Sequence, residues 1–227
     1  MNILSVIKSF SNFERFLWIF SLISVTCAFI LAKSFDFMIL SASLIGVTAL
    51  IFIAKGNVWG QILTLVFSVL YAVISYRFDY FGEMITYLGM TAPVAFLSIL
   101  TWLKNPYSVY EIKVNSLSKF MYFILFSVTL GVTFIFYFIL KFFGTANLGV
   151  STLSVATSFM ASTLMMFRSP YYAAAYALND LVLIILWCMA SFSDVSYAPM
   201  TVCFFIFLAN DLYGFKNWKA MRKRQRI

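Results

Sequence analysis

Residues 57–76 read NVWGQILTLVFSVLYAVISY. Asn57, Gln61, Thr64, Ser68, Tyr71 and Ser75 recur at spacings of 4, 3, 4, 3 and 4, so all six share one face of a helix whose other faces are apolar. A helix of about 20 residues spans the roughly 30 Å hydrocarbon core of a bilayer. A polar stripe on such a helix must meet a neighbouring helix or a cavity. Two readings follow: Ser and Thr joining helices, or the lining of a substrate path. Gln61 favours the second, because its amide has donors and acceptors to satisfy.

Outward from this stretch the chain repeats the pattern. Apolar runs lie at 13–32, 37–54, 58–76, 80–103, 119–140, 148–167, 171–192 and 196–215. Of the 227 residues 63% are hydrophobic and 11% charged, and the mean hydropathy is +0.95. A soluble domain carries about 25% charged residues and could not hide this much apolar surface. The composition excludes a cytosolic enzyme, a disordered chain and a nucleic-acid binder, and predicts an all-α integral membrane protein. Glu14 and Arg15 open the first run, which leaves it as either a span or an interfacial helix; no small-residue cleavage site marks it as a signal peptide. There is no His, and Cys27, Cys188 and Cys203 lie inside apolar runs without metal spacing. Neither an NTP-binding loop nor a nucleophile–base pair is present. No cofactor, metal site or catalytic residue is expected, and the chain is read as a non-enzyme.

Lys and Arg cluster on cytoplasmic loops. With a cytoplasmic C-terminus, thirteen of the sixteen basic residues fall inside and only Lys33, Arg77 and Lys141 outside. Both termini are therefore expected in the cytoplasm. The third and fourth runs resemble the seventh and eighth at an offset of 112, which carries TWLKN onto YGFKN and Ser68 onto Asp180. Three helices end on the side opposite their start, so a parallel second unit requires one linker helix, and the run at 119–140 supplies it. The expected organisation is an N-terminal helix and connection (1–36), a first three-helix repeat (37–104), a loop and linker helix (105–145), a second repeat (146–216) and a basic tail (217–227).

On the seventh run Tyr172, Tyr176, Asn179 or Asp180, and Trp187 share a face. A carboxylate near the bilayer midplane costs about 2.5 kcal/mol or more and marks a functional site unless neighbouring helices bond it. Asn210 and Asp211 fall one turn from the expected end of the last run. Asn210 is read as a pocket residue; for Asp211 an interfacial pairing with Lys216 or Lys104 stands beside a gating role, at a large separation from Asp180. Trp18, Trp102 and Trp218 are expected as aromatic-belt anchors, while Trp59 is open between belt and pocket.

The runs GNVWGQILTLVFSVLYAVISYRFDYFGEMITYLGMTAP (56–93), TWLKNPY (101–107), ALNDLVLIILW (177–187) and NDLYGFKNW (210–218) resemble the PnuC family of bacterial vitamin transporters, best known for nicotinamide riboside. The resemblance extends over about residues 37–220. It implies a 3+1+3 helix fold similar to the SWEET transporters, with the extra N-terminal helix peripheral, and a homotrimer in the bacterial inner membrane. It further implies facilitated diffusion, with trapping of the vitamin by a cytosolic nicotinamide riboside kinase. The family's substrate-contacting positions fall on Trp59, Gln61, Asn179, Asp180, Trp187 and Asn210, to which the polar faces add Tyr176, Thr64 and Ser68. Nicotinamide riboside is flat and permanently cationic, which suits indoles, amides and a carboxylate; without a midplane Arg or Lys, its phosphorylated form should be rejected. Thiamine, also cationic, and riboflavin are the alternative substrates. A membrane enzyme or a structural membrane subunit are the alternatives of another class.

Overall fold

A computed structural model describes residues 3–31, 37–77, 81–145, 147–193 and 198–225. Lys33 and Arg226, both used in the charge count, lie outside the described residues. A short helix α1 (Ile3–Lys8) precedes α2 (Asn12–Leu31), α3 (Phe37–Ala54) and α4 (Val58–Arg77). The fourth run is α5 (Phe81–Thr86), a π-helical turn (Tyr87–Thr91) and α6 (Ala92–Leu103). Then come α7 (Lys119–Phe142), α8 (Leu148–Met166), α9 (Tyr172–Ser193) and α10 (Ala198–Arg224). Among the described residues, eight helices, the fourth run taken as one, are long and apolar enough to cross a membrane. The protein is an all-helical, multi-pass membrane protein.

The π turn sits directly before Pro93. A proline in a helix removes one i→i−4 bond and crowds the preceding turn, and one wider turn absorbs the mismatch. The first span starts on a capping box: the Glu14 amide donates to Ser11 Oγ (3.2 Å) and the Ser11 amide donates to Glu14 Oε2 (2.6 Å). Glu14 is buried and paired with Lys55 Nζ at 3.2 Å.

Two turns at the basic end of the bundle share one geometry. After α3, Gly56 takes a left-handed φ of 72°, and the Asn57 amide donates to Phe52 O. After α8, Arg168 takes a φ of 59°, and the Ser169 amide donates to Leu164 O. Gly56 meets this left-handed demand without strain, as at many helix ends. Asn57 Oδ1 then accepts from the Trp59 amide (3.1 Å) and Ser169 Oγ from the Tyr171 amide (3.4 Å). Each partner pair is 112 residues from its counterpart. The connection between α6 and α7 ties both turns together: the Ile112 amide donates to Gly56 O and the Asn115 amide to Arg168 O.

Helix α3 packs on α4 and α10, while α8 packs on α9 and α6. Helix α2 lies against α3 and α10, and α7 stands outside α8 with Phe120 and Phe134 turned outward. Trp102 and Trp218 are fully buried, unlike belt anchors. Each indole N–H donates to a helix-end carbonyl, Trp102 to Met165 O (3.1 Å) and Trp218 to Ile53 O (2.9 Å). Their span ends are packed inside the protein, so the position along the helix that suggested a belt instead places them in the core. Trp18 is partly buried and donates to Thr48 Oγ1 across the α2–α3 contact (3.1 Å).

Candidate functional site

A cavity lies among α3, α4, the π turn, α8, α9 and α10. Helix α9 supplies the largest share of its polar wall, Tyr172, Tyr176, Asn179 and Asp180, which with Leu183 follow helical spacing on one face. Helix α4 contributes Thr64 and Phe67. The π turn presents Tyr87 and Thr91, so the widened turn faces the cavity. Rings cluster on the wall beside aliphatic residues of α3: Phe67 and Tyr87 lie 5.9 Å apart and Phe67 and Phe207 6.4 Å, all three on the wall. Among the described residues, no Lys or Arg lines it.

Asp211 differs from its sequence reading. It is 3% exposed, lies on this wall, and its carboxyl meets that of Asp180 side chain to side chain. The reason is the length of α10, which runs to Arg224, well past the apolar limit at 215. Asp211 is therefore mid-helix, level with Asp180 on the antiparallel α9. The signal was present: 216–224, KNWKAMRKR, holds no Gly or Pro and is rich in good helix formers.

Of the residues singled out from sequence, Thr64, Tyr176, Asn179 and Asp180 are together on the cavity wall. Asn179 is oriented by α8, its Oδ1 accepting from Thr157 Oγ1 at 2.8 Å and Ser154 Oγ at 3.4 Å. Five others lie off the wall. Ser68 is fully buried and donates to Thr64 O. Gln61, one turn before Thr64, is fully buried, and neither end of its amide has a hydrogen-bond partner. Trp59 packs with Phe10, Leu17 and Phe52 toward α1 and α2. Trp187 stacks behind the wall residue Phe204, with centroids 6.5 Å apart and planes at 15°. Asn210 faces α2 and donates to Ser21 Oγ (3.1 Å) and Ile206 O (2.9 Å).

Among the described residues, eight membrane-length helices, six of which line a cavity with aromatic and acidic side chains, define a polytopic membrane protein. The family model for the nicotinamide mononucleotide transporter matches residues 36–220, and the chain belongs to that family. The nicotinamide riboside transporter PnuC of Neisseria mucosa is 24% identical over 220 residues, covering 94% of this chain and 83% of that protein. Its counterpart in Haemophilus influenzae is 23% identical over 182 residues, covering 79% and 77%. A crystal structure of the vitamin B3 transporter PnuC superposes with a TM-score of 0.83 at 24% identity, covering 96% of this chain and 94% of that one.

Proposed function

We propose that the chain carries nicotinamide riboside across the bacterial inner membrane, as the names of its relatives suggest. The observation that supports this most is the cavity: aromatic rings, an ordered amide and two carboxyls, with no Lys or Arg. A flat pyridinium is attracted to ring faces, and its fixed positive charge complements the carboxyls. The family description names the mononucleotide. A phosphate adds roughly −1.5 to −2 charge, and this wall has acids and no base to receive it, which favours the riboside.

In this reading Thr64, Tyr176, Asn179 and Asp180 touch the substrate directly. Gln61, whose amide ends have no protein partner, reaches it when the transporter opens to the other side. Ser68, Trp59, Trp187 and Asn210 hold the elements that shape the wall. Residues 37–104 and the second unit from 146 through α10 act as two parallel repeats joined by α7, with residues 1–36 peripheral and the basic segment beyond 216 continuing α10; the matching turns and exchanged tryptophan bonds support that division. Rocking of the repeats gives alternating access. Both termini are cytoplasmic, the protein is a homotrimer, and transport is facilitated diffusion made productive by a cytosolic kinase.

The test is uptake into liposomes by purified protein, with binding titrations of nicotinamide riboside, its phosphate, thiamine and riboflavin. Saturable uptake of nicotinamide riboside, with Asp180→Asn weakening binding in a folded protein, is the expected result. Tighter binding and faster uptake of thiamine would replace the substrate. Binding of none of them would remove the transporter reading.

A further inference from the structure

The reading above uses one carboxyl, Asp180, yet the cavity has two. Asp180 and Asp211 are each 3% exposed, and they meet across the α9–α10 contact. Two acids elsewhere in the fold have cations of their own: Glu14 holds Lys55 and Glu111 holds Arg224. Among the described residues of the cavity wall, no basic side chain answers Asp180 and Asp211.

Two further atoms point to a missing partner. Asp180 Oδ2 is buried and has no hydrogen bond. Tyr172 Oη, on the same wall and in a side chain 1% exposed, has none either. Buried polar atoms are nearly always satisfied, so each unsatisfied one calls for an explanation, and a bound molecule completes both at once. The partner chemistry follows from the rest of the wall. A small hydrated metal ion needs a shell of oxygens; this wall also carries the rings of Phe67, Tyr87 and Phe207, and aromatic rings attract large, weakly hydrated organic cations.

We propose that Asp211, together with Asp180, is the charge-selecting element of the cavity: the pair favours an organic cation over a neutral molecule of the same shape. This rests on the reading of the cavity as the substrate site and deepens it, adding a residue and a rule of selection. Asp211 and Asp180 come from different helices, so the pair exists only while α9 and α10 stay in register. A carrier that changes this register changes its hold on the cation.

The experiment compares nicotinamide riboside with its 1,4-dihydro form, nearly the same in size and hydrogen-bonding groups but without charge on the ring. Both are titrated calorimetrically against the purified full-length protein. The wild type is expected to prefer the cation by about tenfold or more. Asp211→Asn should abolish most of that preference by weakening the cation alone, leaving the affinity for the dihydro form within about twofold. Asp180→Asn should do the same, and the double variant should add little, because the two act as a unit. Asp211→Glu keeps the charge and should retain the preference, which guards against a folding defect in Asp211→Asn. An equal loss for both ligands in Asp211→Asn would make Asp211 a structural residue and overturn the proposal. So would equal affinity of the wild type for the two ligands, although the transporter reading would then stand. If the wild type bound neither ligand, both readings would fall together. A sodium requirement for binding, lost in Asp211→Asn, would make the pair a metal site and also overturn it.

Discussion

Trp102 and Trp218 cross-link the molecule in a reciprocal way. Their rings lie 5.6 Å apart at the centroids, and each indole bonds to the end of a helix from the other half of the chain. Trp102, at the end of α6, donates to Met165 of α8, while Trp218, on α10, donates to Ile53 of α3. The residue before each tryptophan repeats the exchange, Thr101 Oγ1 donating to Met166 O and Asn217 Nδ2 to Ala54 O, at 3.0 and 2.9 Å. The acceptors are 112 residues apart, the donors 116, so the last helices are used one turn out of step.

Because both indoles are fully buried, replacing either with Phe removes a donor and leaves a helix-end carbonyl unpaired. Such a loss costs about 1–3 kcal/mol. Trp102→Phe and Trp218→Phe should each lower the thermal midpoint of the detergent-solubilised protein, by similar amounts. Trp18→Phe loses a bond only partly buried, to Thr48, and should lower it less. A near-silent Trp218→Phe would mean that the exchanged bonds do little to hold the halves together.

The aromatic wall makes a second prediction. Phe67 faces the cavity between Tyr87 and Phe207, whereas Trp187 stands behind Phe204. If ring faces hold the substrate, Phe67→Leu should weaken binding by about 1 kcal/mol, near fivefold, while Trp187→Phe stays within about twofold. Titration of both purified variants checks this. A larger loss in Trp187→Phe would bring the indole into the site, with Phe204 turning aside when substrate enters.

The phosphate prediction is independent of the rings. With acids and no base on the wall, nicotinamide mononucleotide should bind about 100-fold or more weakly than the riboside, since like charges buried together cost several kcal/mol. Introducing a base at the wall, as Thr64→Lys, should narrow that gap from the phosphate side. Equal affinities in the wild type would place the phosphate outside the cavity.

The eight spans were legible because bilayer thickness imposes one length on every apolar run; seven of the eight helices start and end within two residues of the sequence reading, the last being the exception. Local polar spacing also put Thr64 and Asp180 on inward faces, and both line the cavity. Other features depended on what lay across the helix. Ser68 and Gln61 share the stripe with Thr64, yet they are buried off the wall. Asn210 and Asp211 are adjacent, so their side chains point about 100° apart, one toward α2 and one into the cavity. Hydropathy reads the end of the apolar run at 215, but the helix continues in a basic, still helical segment to Arg224. That difference moved Asp211 from the rim to the middle.

The last prediction concerns the driving force. A proton- or sodium-coupled carrier needs a group that cycles its ion, and the carboxyl pair on the cavity wall is the first place to look. The proposed substrate already carries a fixed positive charge, however, which gives the membrane potential a direct hold on it. One charge crossing the membrane gains about 2.3 kcal/mol per 100 mV, and each 1.36 kcal/mol is tenfold in concentration. Uncoupled movement of the cation would therefore accumulate it close to 50-fold at about 100 mV, inside negative. With the potential clamped at zero it would only equilibrate. Purified protein in liposomes, with potassium and valinomycin setting the potential, separates the cases. The expected result is accumulation that follows the potential and ignores proton and sodium gradients imposed at zero potential. Accumulation at zero potential on a proton gradient, lost in both Asp180→Asn and Asp211→Asn, would instead make the pair a proton-coupling site. Equilibration that ignores the potential would mean that a protein charge returns with each turnover and cancels the charge of the substrate, and the same carboxyls would be the first to test.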